Sequence, residues 1–89
     1  MKETILKVKN RAGLHTRPAA NLVKIASKFK SEIELERDGF RINAKSIIGV
    51  MTLAAEQECE LTLYVDGIDE DAALKEIKEL FDSGFGEPF

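Results

Sequence analysis

The stretch GLHTRPAA, Gly13 to Ala20, holds the only histidine of the chain, His15, with Arg17 two residues on and Pro18 after it. Proline has no N–H and is disfavoured inside a helix, so Pro18 belongs in a first turn. Arg17, preceding a proline, is pushed away from helical dihedrals, which marks the same boundary. His15 is therefore expected just before or at a helix N-terminus. Backbone N–H groups there, those of Thr16 and Arg17 among them, lack intrahelical partners, and the helix dipole adds partial positive charge. Such a terminus receives anions. Neutral imidazole, with a reference pKa of about 6.5, is a competent nucleophile near neutral pH. An imidazole at an anion site, with a guanidinium two residues away, has what a phosphoryl acceptor needs. Amides and Arg17 can hold the phosphoryl oxygens, and phosphoryl transfer depends mostly on such positioning and charge neutralisation. The P–N bond so formed is labile, which suits a carrier better than an end product.

A lone histidine beside a helix start is also often a cap or an ordinary surface residue, and the local residues leave both readings open. No second histidine, serine–base pair or carboxylate dyad accompanies it, which argues against a self-contained hydrolase. No glycine-rich nucleotide loop occurs, and one histidine without a ligand cluster makes a poor metal site. Neither cofactor nor metal is expected. A second stretch, AKSIIGVMTL from Ala44 to Leu53, has Ser46 as a plausible N-cap of a short helix running to about Leu53. Ile47, Ile48, Val50, Met51 and Leu53 are more apolar residues than one buried stripe uses. Ile47 and Met51, an i/i+4 pair, can stay exposed while Val50 and Leu53 face the core. An exposed Ile/Met patch fits partner docking, and packing under the sheet or a neighbouring loop is the competing reading.

The elements that must position these residues follow from periodicity. Glu3 to Lys9 reads as a strand with Leu6 and Val8 on one face and Ile5 on the other. Ser31 to Arg37 alternates Ile33 and Leu35 with Glu32, Glu34 and Glu36, a strand with one wet face. Asp38-Gly39 supplies a tight hairpin turn to Phe40–Asn43. Glu60 to Val65 turns Leu61, Leu63 and Val65 inward. Helices then cover the dry face. Pro18 to Phe29 lines up Ala19, Leu22, Val23, Ala26 and Phe29. Asp69 is the expected N-cap of a last helix burying Ala73, Leu74, Ile77, Leu80 and Phe81 and stopping at Gly84. The order β-α-β-β-α-β-α predicts an α+β open-faced sandwich, a four-stranded antiparallel sheet with three helices on one face.

The 89 residues suit one domain spanning 1–89, with 44% apolar and 33% charged residues. No apolar run approaches the ~20 residues of a membrane span and no signal-peptide pattern opens the chain. Cys59 is the lone cysteine, read as a small half-buried residue before a strand, and a reducing cytoplasm is the simplest compartment. Residues 1–31 carry eight Lys or Arg against one acid, a balance of +7. Residues 32–89 carry five basic and fifteen acidic residues, a balance of −10. The asymmetry fits either a basic patch for an anionic partner or a surface the fold interleaves. Few aromatics and an acidic whole chain speak against nucleic acid.

Taken together, GLHTRPAA, AKSIIGVMTL and the Asp38-Gly39 turn resemble the HPr family, phosphocarriers of the phosphoenolpyruvate-dependent sugar phosphotransferase system. The resemblance runs from the first strand to the last helix. It implies that His15 takes a phosphoryl group on Nδ1 from phospho-enzyme I and passes it to the IIA domain of a sugar permease. Arg17 would stabilise the phosphoryl group, with the Thr16 backbone amide beside it. Thr16, Arg17, Ala20, Lys24, Ile47, Ile48 and Met51 match the surface that docks both partners. Ser46 matches the serine that HPr kinase/phosphorylase modifies in many bacteria. A stoichiometric carrier, not an enzyme, and a monomer without membrane contact is the expectation. The alternatives are a relay that regulates without moving sugar, or a binding module governed by Ser46. Two features depart from the pattern. Ala12 stands where many relatives place a small polar residue, and the tail GFGEPF runs past the last helix with no function assigned to it.

Overall fold

A computed structural model describes residues 1–89. The alternation of apolar and polar residues builds four strands: β1 (Lys2–Lys7), β2 (Glu32–Arg37), β3 (Phe40–Asn43) and β4 (Glu60–Asp66). They pair antiparallel in the order β1-β4-β2-β3. Register puts Leu6 opposite Leu61, Leu35 opposite both Leu63 and Ile42, and Ile33 opposite Val65, all buried on one face. The other face stays wet, with Arg41 stacked 3.6 Å over the Tyr64 ring and bonded to Glu34 at 2.7 Å. Asp38 and Gly39 both adopt positive φ, as the two-residue hairpin requires.

Three helices cover the dry face: α1 (Thr16–Ala26), α2 (Ile47–Thr52) and α3 (Glu70–Asp82). Their inward residues, among them Leu22, Val50, Ile77 and Phe81, join the strand leucines in one core. The α+β open-faced sandwich holds, with a short 3₁₀ turn at Gly84–Gly86 added after α3. Gly84, at φ +64, ends the helix and lets Phe85 turn in edge-to-face on Phe81.

Three local expectations need correction. The first strand ends its ladder at Lys7, although Val8 still exchanges hydrogen bonds with Glu58 and Cys59; Glu58, at positive φ, breaks the regular pairing. Helix α1 starts at Thr16, so Arg17 is helical despite the proline after it. Burial of Leu14, Pro18 and Ala19 around it outweighs the local bias. Its far end tightens into i→i−3 bonds from Lys28 and Phe29, so the helix proper stops at Ala26. Asp69 takes the expected N-cap position of α3, although its side chain bonds no amide of that helix. It accepts instead from the Lys30 and Ser31 amides and the Ser31 hydroxyl, fastening the α1–β2 connection to the start of α3.

Candidate functional site

The turn leading into α1 is built from Asn10 to Gly13, closed by a bond from the Gly13 amide to the Asn10 carbonyl. Gly13 sits at φ +73 and packs so closely on the 54–56 loop that a Cβ would lie 2.6 Å from the Ala55 carbonyl oxygen. The Leu14 amide then donates to that same oxygen at 2.8 Å, so His15 leaves a braced loop in extended conformation. It occupies the N-cap position, yet its side chain caps no amide. The Thr16 and Arg17 amides lie in the first turn of α1, where no intrahelical acceptor exists.

The imidazole points elsewhere. Nε2 lies 3.0 Å from Oε1 of Glu87, a residue of the tail that follows α3. The same oxygen accepts from Asn10 Nδ2 at 3.1 Å, and Nδ2 also donates to the Gly13 carbonyl at 2.8 Å. Asn10 is fully buried, whereas the His15 side chain is 43% exposed. The hydrogen bond from His15, then that from Asn10, with the Arg17 charge nearby, hold the Glu87 carboxyl below its ordinary value. An ionised carboxylate only accepts, so Nε2 carries the hydrogen and, in the neutral ring, the lone pair is left on Nδ1. The tail is tied down beyond Glu87 as well: Arg11 donates its amide to the Pro88 carbonyl at 2.8 Å.

Surface charge sorts itself as the chain folds. Lys2, Lys7, Lys9 and Lys28 pair with Asp71, Glu58, Asp82 and Glu76 from the acidic half. Arg17 and Lys24 have no carboxylate within ion-pair distance, and both are exposed on α1, seven residues and so two turns apart. Thr16 and Ala20 are exposed on the same helix. Helix α2 packs beside α1. It leaves Ile47, Ile48 and Met51 exposed, Ile48 at 74%, while Val50 and Leu53 are buried. Ser46 is half-buried at its start, and its Oγ accepts from the Gly49 amide at 3.1 Å. Cys59 is half-buried just before β4.

No three His, Cys, Asp or Glu side chains converge as a metal set would. The one hollow, about 250 Å³, lies on the wet sheet face among Met1, Glu32, Glu34, Arg41, Tyr64 and Asp66, away from His15. His15 stands on an open surface. Such a site meets another macromolecule more readily than it encloses a small one. No helix is long and apolar enough to cross a membrane.

The family model described as "PTS HPr component phosphorylation site" matches residues 2–83. The chain belongs to the HPr family. It is 55% identical over 82 residues to a phosphocarrier protein HPr of Treponema pallidum, covering 92% of this chain and 93% of that one. A crystal structure of HPr-C-His from Thermoanaerobacter tengcongensis superposes over the whole of both chains, with a TM-score of 0.96 and 46% identity. An HPr dimer from the same organism matches at a TM-score of 0.79, 47% identity, 98% of this chain and 100% of that one. The protein is thus an HPr phosphocarrier of the phosphotransferase system, with the four-stranded sheet and three helices of that family.

Asn10 and Glu87 escape a reading of the sequence. Asn10 followed by Gly13 has the residue types of a β-turn, which signals the turn but not the buried amide. Glu87 is the one ionisable residue of GFGEPF, and nothing local ties it to a histidine 72 positions earlier.

Proposed function

We propose that this protein relays a phosphoryl group through a phosphohistidine at Nδ1 of His15, taking it from phospho-enzyme I and giving it to IIA domains of sugar permeases. It acts as a stoichiometric carrier in the cytoplasm, as a monomer. The reading is carried by an exposed histidine whose Nε2 is already engaged, standing at a helix start with an unpaired arginine. In it Nδ1 attacks phosphorus, the first-turn amides of Thr16 and Arg17 and the Arg17 guanidinium hold the phosphoryl oxygens, and the bound anion is favoured by the helix dipole. Lys24 with Thr16, Ala20, Ile47, Ile48 and Met51 forms the docking face, a basic and apolar surface suited to acidic and apolar partners.

Incubation with phosphoenolpyruvate and enzyme I is expected to add one acid-labile phosphate, which His15→Ala abolishes. Labelling that persists in the alanine variant would overturn the relay. Ser46 is the proposed regulatory site, a substrate of HPr kinase/phosphorylase. A phosphate there adds up to about two negative charges beside a face that meets acidic partners, and so opposes loading of His15.

A further inference from the structure

We propose that Glu87 is a positioning residue for phosphoryl transfer, orienting the His15 ring and facing the positive charge that develops on it as Nδ1 is phosphorylated. This rests on the carrier reading above and assigns to the tail its part in that chemistry.

A surface imidazole without a partner turns about χ1 and χ2 and presents either nitrogen. Here Glu87 Oε1, 3.0 Å from Nε2, fixes the ring from one side, and the carboxylate is itself held. Asn10, fully buried, donates to Glu87 through Nδ2 and hangs by the same nitrogen from the Gly13 carbonyl. The chain of contacts thus runs from a braced turn through a buried amide and a carboxylate to the imidazole. The Glu87 side chain is only 17% exposed, so its charge is less screened than that of a free surface acid. The arrangement matches the logic by which a carboxylate fixes the tautomer and orientation of a catalytic histidine.

During transfer the Nδ1 lone pair forms the N–P bond. The bond from phosphorus to the donor's leaving atom breaks, and its electron pair stays with the donor. The Nε2 hydrogen remains in place, so the ring becomes cationic while hydrogen-bonded to an anion. Return of the phosphoryl group to an acceptor reverses the charge change. Glu87 favours the phosphorylated ring in its protonated form, in which the P–N bond breaks more readily.

Two readouts test this on the full chain. In proton-detected ¹⁵N spectra of histidine-labelled protein, the Nε2–H signal should be visible in the wild type, because the bond slows its exchange with water. It should persist in E87Q, whose carbonyl still accepts, and disappear in E87A. Initial rates of His15 loading by enzyme I should fall about tenfold or more in E87A. Thermal unfolding of E87A close to the wild-type midpoint would show that the fold is intact. Wild-type loading in E87A, or an Nε2–H signal that survives there, would overturn the proposal. Should the wild-type protein take no label at His15, the carrier reading fails, while the spectra still decide whether Glu87 holds the ring.

Discussion

A single carboxylate oxygen, Oε1 of Glu87, receives hydrogen bonds from Asn10 and His15, and the turn beneath them depends on Gly13. That glycine has two constraints at once: a left-handed φ of +73 and a backbone oxygen 2.6 Å from where a Cβ would stand. Gly13→Ala is expected to cost about 1–3 kcal/mol by urea denaturation. It should also slow loading of His15, because the loop that aims the ring must shift. A variant as stable and as readily loaded as the wild type would show that the close approach is harmless. The placement of His15, Arg17 and Pro18 is legible in the sequence because it is local: a proline belongs in a first turn, so the residues just before it stand at a helix start. The carboxylate behind the ring is not legible, since its proximity comes from folding and not from spacing. The loss of regular helical preference before a proline was equally readable, but buried neighbours overrode it at Arg17.

At the scale of elements, the two helix starts behave differently. Helix α2, only six residues long, depends on Ser46 for its cap, the bond from the Gly49 amide. Ser46→Ala should lower stability by about 1 kcal/mol, measured by chemical denaturation. Ser46→Asp, an equally good cap type, should keep stability while slowing loading of His15. Equal loading of the aspartate variant and the wild type would argue against charge repulsion as the means of regulation. Helix α1 has no side-chain cap, which leaves its first amides available. The strands and the buried stripes of the helices were legible because periods of two and 3.6 mark the dry face directly. Asp69 is legible as the N-cap position of α3 but not in the bonds its side chain makes, since these lie with Lys30 and Ser31, across a gap of 38 to 39 residues.

For the whole molecule, three carboxyls are held below their ordinary values, and each joins distant parts of the chain. Asp69 is lowered chiefly by the Ser31 hydroxyl, Glu70 by the Gly67 amide with help from the N-terminal ammonium, and Glu87 by His15. A carboxyl that is more acidic in the folded than in the unfolded chain contributes stability above its unfolded pKa. That contribution is lost as pH falls through the folded value. The melting temperature should therefore change little on this account from neutral pH to about pH 5, and fall below about pH 4. Asp69→Asn should flatten part of that acid decline; a decline of unchanged steepness would remove Asp69 from the account. The fold also resolves the charge asymmetry of the sequence, since Lys2, Lys7, Lys9 and Lys28 meet acids from the other half while Arg17 and Lys24 pair with none. Pairing of Lys2 with Val65, and of His15 with Glu87 across 72 positions, has a consequence in time. Such long-range closures come late in folding, because loop entropy must be lost before they form. A chain emerging from the ribosome can shape the β2–β3 hairpin early. Its histidine meets the Glu87 carboxylate only after the turn that follows α3 has been synthesised and folded back, so the ring is the last of these groups to be held in place.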